Sequence, residues 1–167
     1  TVRGVKLPQT LKATLRPYQQ RGYEWLMKNI RLGLGSLIAD DMGLGKTLQV
    51  IATLTALKEA GEFKKQKALI VVPTTLLTNW SREIEKFSQC SERFIPATED
   101  FDMLLTSYGI VRRDIEKLAA MPWRLLIIDE AQAVKNHSTT LTQSLSVLRA
   151  QQVIAMSGTP VENHLME

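Results

Sequence analysis

The chain has 167 residues, of which 44% are apolar and 23% are charged. This length fits one globular domain, and this composition excludes a disordered or fibrous chain. The 21 basic and 17 acidic side chains give a formal net charge of +4. Such a charge permits a polyanionic partner without identifying one.

No segment of the sequence has the apolar length of a membrane span. The longest apolar runs, at 68–72 and 125–128, are far shorter than the roughly 18 residues required, and the first 20 residues contain no signal-peptide core. The single cysteine, Cys90, cannot form an internal disulfide, so we expect an intracellular location, cytoplasmic or nucleoid in a bacterium. The chain begins without methionine and stops just after a motif-rich stretch, so we expect a piece of a longer protein.

Short apolar runs predict strands, and the segments between them predict helices. After an irregular lead-in at 1–14, the predicted helices are 17–32, 47–60, 76–87, 108–119 and 139–149, and the predicted strands are 37–39, 69–72, 103–105, 125–128 and 153–156. Pro17 suits a first helical turn, and Gly61 suits a C-terminal cap. This alternation predicts an α/β fold, a mostly parallel sheet with helices on both faces. Because the runs are apolar at consecutive positions, we expect strands buried on both faces.

Glycine, hydroxyl or acidic residues follow every predicted strand. They occupy 40–47, 73–75, 106–108, 129–132 and 157–160. The carboxyl ends of parallel strands meet at one edge of the sheet, where ligands bind in open α/β folds. We therefore expect these clusters to form one site.

The first cluster has the character of a phosphate-binding loop. Gly43 and Gly45 let the backbone curl so that amide N–H groups point at phosphate oxygens. Lys46 can reach the β and γ phosphates, and the Thr47 hydroxyl can bind magnesium. The strict pattern has glycine at position 40, where this chain has Asp40. An ordinary glycine turn is the alternative, but the predicted strand and helix on either side favour the phosphate loop.

Two adjacent acids follow the predicted strand at 125–128. Asp129 is placed to hold a magnesium shell, and Glu130 to orient or deprotonate an attacking water. Alone, such acids could belong to a solvated loop, but together with the glycine loop they indicate a nucleoside triphosphatase. Glu130 also favours a hydrolase over a small-molecule kinase. In a kinase, a water-activating base beside the transferred phosphate would waste the nucleotide by hydrolysing it.

The chain contains an ordered set of motifs: Leu15-Arg16-Pro17-Tyr18-Gln19, Asp41-Met42-Gly43-Leu44-Gly45-Lys46-Thr47, Asn79-Trp80, Thr106-Ser107-Tyr108, Asp129-Glu130-Ala131-Gln132, Lys135-Asn136 and Ser157-Gly158-Thr159-Pro160. This set resembles the motifs of the Snf-type (SWI/SNF-like) helicase-related ATPases of superfamily two. The resemblance covers 15–167 and implies the first RecA-like lobe of a motor. It further implies ATP and Mg²⁺ as cofactors and double-stranded DNA as the track, with bound protein remodelled or displaced.

The resemblance also implies a role for individual residues. Gln19 would read adenine in a pocket shaped by Arg16 and Tyr18. The residues implied to bind the phosphates are Asp40, Asp41, Met42, Gly43, Leu44, Gly45, Lys46 and Thr47. Lys46, Asp129 and Glu130 would be catalytic, with Thr47 and Asp129 at the magnesium ion.

Two further groups of residues follow from the same resemblance. Gln132, Ser157, Gly158 and Thr159 would couple hydrolysis to lobe movement. The DNA side would be lined, mostly through the backbone, by Pro73, Thr74, Thr75, Asn79, Trp80, Thr106, Ser107, Tyr108, Lys135 and Asn136.

Some of these residues have structural interpretations as well. The burial habits of tryptophan favour Trp80 as a core residue over a base-stacking platform. Thr106 and Ser107 could simply cap the following helix. Asp41 stands where family members usually have glutamate, and the 88–100 connection is shorter than usual, with Phe94 and Ile95 as the possible remainder of a strand.

In the family, arginines from a second RecA-like lobe complete the phosphate site, and that lobe is absent from this chain. We therefore expect the isolated lobe to be nearly inactive. Two other functions stay open: a non-catalytic module that binds nucleotide or a partner, and the lobe of an RNA helicase. Lys46 and Glu130 argue against the first, whereas Arg16-Pro17-Tyr18-Gln19 and Asn79-Trp80 argue against the second.

Overall fold

The computed structural model describes residues 5–39, 45–90, 92–93, 101–132 and 139–157. Its helices are α1 (Pro17–Arg31), α2 (Lys46–Glu59), α3 (Leu77–Phe87), α4 (Tyr108–Arg113), α5 (Ile115–Ala119) and α6 (Thr139–Ser146). Its strands are β1 (Ser36–Ala39), β2 (Lys67–Val72), β3 (Glu92–Arg93), β4 (Met103–Ser107), β5 (Pro122–Ile128) and β6 (Arg149–Ser157). A short 3-10 helix, Thr74–Leu76, precedes α3. None of the described helices combines the length and the apolarity needed to cross a bilayer.

The described strands form one parallel sheet in the order β1-β6-β5-β2-β4-β3. This arrangement confirms the predicted α/β fold, and each of the five predicted strands is present. The two-residue strand β3 is an addition at the edge beside β4. Phe94 and Ile95, the suggested remainder of a strand, lie outside the described residues.

Apolar side chains pack on both faces of the sheet because alternate residues of a strand point in opposite directions. Along β2, Ala68, Ile70 and Val72 belong to a cluster that includes side chains of α1, α2 and α3. Leu69 and Val71 belong to a second cluster, with side chains of α4 and α5. Helices therefore cover both faces, as predicted.

Strand β1 differs from the expectation of burial on both faces. It lies at the sheet edge, and its residues alternate between half-buried and exposed. Ile38 packs against the cluster that includes α1, α2 and α3, whereas Leu37 points to the opposite face and is 40% exposed. The prediction was wrong for this strand and for Val153 of β6, which is 36% exposed, because an apolar run does not show how completely other segments cover each face of its strand.

Two predicted helices have different bounds in the structure. The helix expected over 108–119 is divided into α4 and α5 at Asp114. The helix expected over 139–149 ends at Ser146, and Arg149 already pairs with Pro122 of β5. Backbone pairing with a neighbouring strand ends this helix, and the spacing of apolar side chains does not report that pairing.

The end of α2 confirms Gly61 as a helix cap. Gly61 has a φ of 77°, in the left-handed region that glycine adopts without strain. Its N–H donates to the carbonyl of Lys58, and the N–H of Glu62 donates to the carbonyl of Leu57, both at 2.9 Å. These two bonds form a Schellman motif, which satisfies carbonyl groups at the end of the helix.

The segment before α1 has no helix or strand over residues 5–16, but polar contacts fix it to α1 and α2. The carboxylate of Glu59, at the end of α2, accepts the N–H groups of Gln9 at 3.2 Å and Thr10 at 2.7 Å, and the Thr10 hydroxyl at 2.6 Å. The phenol of Tyr23 in α1 donates to the carbonyl of Lys6 at 2.6 Å. The lead-in is therefore part of the packed structure.

These contacts predict a pH-dependent contribution to stability from Glu59. Burial acts to raise the pKa of Glu59, but hydrogen bonds from Thr10 and Gln9 outweigh it and hold that pKa below its ordinary value. A lowered pKa in the folded state stabilises the fold above the ordinary carboxyl pKa, and this stabilisation is lost as pH falls through the lowered value. We therefore expect Glu59→Gln to lower the free energy of unfolding near pH 7, with the difference shrinking as the solution is acidified.

Urea unfolding at a series of pH values measures this difference. Glu85→Gln, at an exposed position of α3, is the control and should show a much smaller pH-dependent difference. An equal effect of Glu59→Gln at acidic and neutral pH would contradict the assignment.

Candidate active site

The described residues of the predicted clusters, at 45–47, 73–75, 106–108, 129–132 and 157, lie at the carboxyl edge of the sheet, where β2, β4, β5 and β6 end. Side-chain contacts at this edge join the start of α2, the segment 129–132 after β5, and the end of β6. The predicted site residues that lie outside the described ranges are Asp40, Asp41, Met42, Gly43, Leu44, Lys135, Asn136, Gly158 and Thr159.

Lys46 is the first residue of α2 and is only 6% exposed. Its Nζ donates to the carbonyl oxygen of Ser157 at 2.6 Å, which joins α2 to the end of β6. Gly45, the residue before the helix, has a φ of 82°. The ammonium group therefore lies at the start of a helix, where free N–H groups and the helix dipole favour an anion.

Helix α1 brings Gln19 against the end of the glycine loop. A Cβ atom at Gly45 would lie 2.1 Å from Nε2 of Gln19, so a side chain at this position would collide with it. Gln19 is 8% exposed, and its Oε1 accepts the backbone N–H of Arg16 at 2.8 Å. Tyr18, beside it in the chain, is 37% exposed. Gln19, to which the resemblance assigns adenine recognition, thus contacts the phosphate-loop region.

Asp129 is held by contacts to its side chain and its backbone. Oδ2 accepts the indole N–H of Trp80 at 2.7 Å, and Oδ1 accepts the N–H of Glu130 at 2.8 Å. The N–H of Asp129 donates to the carbonyl of Val71 at 2.9 Å. Burial and the negative charge of Glu130 raise the pKa of Asp129, while the hydrogen bonds from Trp80 and from the N–H of Glu130, and the positive charge of Lys46, act in the opposite direction. The carboxylate is therefore fixed in orientation beside a cation.

Tyr108 holds the backbone of the same turn. Its hydroxyl makes a short hydrogen bond to the carbonyl oxygen of Asp129 and lies 3.3 Å from that of Glu130. Burial, together with the negative charges of these two acids, raises the pKa of Tyr108, so the phenol remains a donor at neutral pH. Glu130 has a φ of 54°, in the left-handed region that residues other than glycine rarely adopt. Such strained backbone clusters at functional sites.

Gln132 connects the acidic turn to the end of β6. Its Nε2 makes a short hydrogen bond to Oε2 of Glu130, and its Oε1 accepts the Ser157 hydroxyl at 3.0 Å. The carbonyl of Ser157 accepts from Lys46 in turn. Glu130, Gln132, Ser157 and Lys46 therefore form a continuous hydrogen-bonded chain from three separate segments.

The oxygen atoms at this edge fit magnesium. The Thr47 hydroxyl and the Asp129 carboxylate are hard oxygen donors, and Mg²⁺ in nucleotide sites commonly takes one or two protein ligands with phosphate and water oxygens. Over the described ranges, no group of three or more His, Cys, Asp and Glu side chains could hold a metal ion. An ion bound between Thr47 and Asp129 would therefore depend on a nucleotide for further ligands.

The residues assigned to the DNA side divide into an exposed and a buried group. Thr74, Thr75 and Asn79 are exposed and Pro73 is half-buried, whereas Trp80, Thr106, Ser107 and Tyr108 are 1%, 1%, 5% and 7% exposed. Trp80 is a core residue, as its size predicts. The Ser107 hydroxyl caps α4 by accepting the N–H of Ile110 at 3.3 Å. The buried side chains are not accessible to a ligand on the surface.

Sequence reasoning did not connect Trp80 or Tyr108 with the acids. Trp80 lies 49 positions from Asp129 and Tyr108 lies 21 positions from it, so only the folded chain brings them together. A signal existed, because a buried indole N–H or phenol hydroxyl nearly always finds a polar partner. That signal does not identify the partner.

An open cleft lies at the opposite edge of the sheet, away from these residues. It has a volume of about 390 Å³ and is lined by residues that include Lys64, Lys65 and Arg124. The guanidinium group of Arg124 already donates to Glu62 at 3.1 Å and to Gln152 at 2.7 Å. These bonds hold Arg124 in place, and none of the predicted site residues lines the cleft.

Comparison with known proteins agrees with this geometry. The family model described as the SNF2-related domain matches residues 18–167. The YwqA protein of Bacillus subtilis is 39% identical over 175 residues, which cover 97% of this chain and 19% of that protein. The TATA-binding protein-associated factor BTAF1 of Arabidopsis thaliana is 35% identical, with 97% of this chain and 9% of that protein covered. The chain thus spans less than a fifth of the length of these relatives.

Solved structures show the same similarity. The Sulfolobus solfataricus SWI2/SNF2 ATPase core in complex with dsDNA matches with a TM-score of 0.88 and 38% identity, covering 96% of this chain and 36% of that one. The Sulfolobus solfataricus SWI2/SNF2 ATPase core domain matches with a TM-score of 0.82 and 35% identity, covering 98% of this chain and 35% of that one. The chain belongs to the SNF2-related domain family and corresponds to the N-terminal, RecA-like lobe of its helicase-like ATPase motor.

Proposed function

We propose that this chain is the ATP-binding lobe of a DNA-dependent ATPase that moves along double-stranded DNA and remodels or displaces bound protein. The observation that carries the proposal is the hydrogen-bonded chain from Lys46 through Ser157 and Gln132 to Glu130. It connects a cation suited to phosphate with an acid suited to hydrolysis, and Asp129 lies directly beside that acid.

Each of these residues has a distinct task in the proposed site. Lys46 and the N–H groups at the start of α2 bind the phosphates of ATP. Thr47 and Asp129 are the residues that would hold Mg²⁺, whose chemistry when bound is to neutralise negative charge on the phosphates. Glu130 orients the attacking water and accepts its proton.

The same contacts suggest how binding of the nucleotide is communicated. A phosphate group would compete with the Ser157 carbonyl for the ammonium group of Lys46, because both are acceptors. Release of Ser157 would alter its contact with Gln132 and hence the hydrogen bond to Glu130. This is the coupling role that we propose for Gln132 and Ser157, continued by Gly158 and Thr159.

The proposed DNA side begins at the exposed residues Thr74, Thr75 and Asn79, with Lys135 and Asn136 following from the family motifs. The buried residues Trp80, Thr106, Ser107 and Tyr108 would contribute through their backbone or not at all. A duplex is the proposed track, and the dsDNA in one similar ATPase core supports this choice.

Residues 15–167 form one lobe in this proposal. A second RecA-like lobe elsewhere in the full-length chain completes the phosphate site, so the isolated lobe is nearly inactive.

The proposal is tested by measuring ATP hydrolysis by the full-length protein with duplex DNA, single-stranded DNA and RNA in parallel. We expect stimulation mainly by duplex DNA. Stimulation mainly by RNA would support an RNA helicase, the absence of any hydrolysis would support a non-catalytic module, and hydrolysis without stimulation by duplex DNA would contradict the proposal.

Replacement of Lys46 tests the phosphate-binding assignment. We expect Lys46→Ala to weaken ATP binding by about 10- to 150-fold, because charged hydrogen bonds contribute roughly 1.5–3 kcal/mol. Equilibrium binding of a fluorescent ATP analogue measures the change. Lys58→Ala is the matched control. Lys58 lies in the same helix, but its ammonium group pairs with the carboxylate of Asp102, 2.8 Å away, and not with a residue of the site. Unchanged ATP affinity in Lys46→Ala would refute the assignment.

Replacement of Glu130 separates hydrolysis from binding. In the full-length protein, we expect Glu130→Gln to reduce the rate of ATP hydrolysis by about 10²- to 10⁴-fold, the usual contribution of a general base, while ATP binding is retained. The amide oxygen can still accept from Gln132, so the local structure should persist. Glu62→Gln, which removes one charge at the opposite edge, should leave turnover near the wild-type rate. Wild-type turnover of Glu130→Gln would remove Glu130 from its role.

A further inference from the structure

We propose that Trp80 and Tyr108 are positioning residues for the acidic turn, residues 129–130, and that Trp80 transmits contact between duplex DNA and the exposed start of α3 to this turn. The inference rests on the proposed DNA-dependent function. It assigns to two buried aromatic residues a role in regulating hydrolysis.

Trp80 directly follows exposed residues in the chain, and its own side chain contacts the acidic turn. Thr78 and Asn79, in the first turn of α3, are exposed, and the next residue, Trp80, is 1% exposed. Its indole N–H lies 2.7 Å from Oδ2 of Asp129. Hydrogen bonds lose strength steeply as they lengthen or bend, so a small displacement of the start of α3 would change the orientation of this carboxylate.

Tyr108 restrains the same turn from the other side of the sheet. Trp80 belongs to the apolar cluster that includes α1, α2 and α3, whereas Tyr108 belongs to the cluster that includes α4 and α5. The indole holds the side chain of Asp129, and the phenol holds the backbone carbonyl groups of Asp129 and Glu130. The left-handed backbone of Glu130 makes this second restraint important, because that conformation persists only where surrounding contacts enforce it.

The contacts of Trp80 and Tyr108 position Asp129 and Glu130, the acids proposed for Mg²⁺ binding and hydrolysis, whose function depends on their geometry. Misplacement of a reacting group by about 1 Å can reduce an enzymatic rate by roughly 100-fold. Contact of a duplex with Thr74, Thr75 or Asn79 would bear on the start of α3 and therefore on Trp80. A duplex bound at the start of α3 would therefore alter the position of Asp129 and, because both acids lie in one turn, of Glu130.

The chain offers matched controls for both residues. Trp123 is also 1% exposed, and its indole N–H donates to the carbonyl of Leu118 at 3.0 Å, away from the acidic turn. Tyr23 is 1% exposed as well, and its phenol donates to the carbonyl of Lys6 at 2.6 Å. Trp123→Phe and Tyr23→Phe therefore delete the same chemical groups, with similar burial, at sites that do not touch the acids.

The experiment compares Trp80→Phe, Tyr108→Phe and the two controls in the full-length protein. Three quantities are measured: the Mg²⁺ concentration for half-maximal binding of a fluorescent ATP analogue, the ratio of duplex-stimulated to basal hydrolysis, and amide exchange of the peptide spanning 126–132 with and without duplex. We expect Trp80→Phe and Tyr108→Phe to raise the Mg²⁺ requirement several-fold and to reduce the stimulation ratio by about tenfold. The duplex-induced change in amide exchange should disappear in Trp80→Phe, while its affinity for duplex stays within about twofold of wild type.

The controls should lower thermal stability without changing the Mg²⁺ requirement or the stimulation ratio. Equal behaviour of Trp80→Phe and Trp123→Phe would overturn the positioning role. If Trp80→Phe does not fold, Tyr108→Phe decides whether the turn is positioned in this way, because it removes a single oxygen atom.

Unchanged amide exchange at 126–132 when duplex binds the wild-type protein would overturn the proposed transmission. A wild-type protein that duplex does not stimulate would refute the proposed function, and the transmission with it, while the Mg²⁺ requirement would still decide whether Trp80 and Tyr108 position the turn.

Discussion

The buried ammonium group of Lys46 is the constraint on which the site depends. A lysine that is 6% exposed is unfavourable unless its charge is compensated, and here the carbonyl of Ser157 accepts from it at 2.6 Å. The negative charge of Asp129 is close enough for the pKa of that acid to be influenced by Lys46. The cation is therefore held in place at a helix start that favours phosphate. The contact also makes the end of β6 part of the site.

The strand order explains why these residues meet. Strand β5 lies between β6 and β2, so the turn that follows β5 contacts both neighbours. On one side the N–H of Ala131 donates to the carbonyl of Met156 at 2.7 Å, and on the other the N–H of Asp129 donates to Val71 at 2.9 Å. The acidic turn is thus anchored by backbone as well as by Trp80 and Tyr108. A central strand in a parallel sheet gives the side chains of this turn a rigid support.

Much of the fold could be predicted from local sequence, for identifiable reasons. Consecutive apolar residues mark strands in a parallel sheet, and each of the five predicted strands is present. Glycine in the left-handed region is a local requirement, so the cap at Gly61 was predictable. The end of α6 and the break at Asp114 were not, because pairing of β6 with β5 and packing of α4 and α5 on the sheet depend on distant segments. The exposed face of β1 was missed for the same reason.

The sequence by itself determined the chemical groups of the candidate site and their positions in the fold: Lys46 and Thr47 at the start of a helix, and Asp129 and Glu130 after a buried strand. These features follow from residue type and spacing, which operate over a few positions. Only the tertiary structure decided what holds those groups in place. Trp80 reaches Asp129 across 49 positions, and Ser157 reaches Gln132 across 25. Such pairs are created by the strand order of the sheet, which local residue patterns do not specify.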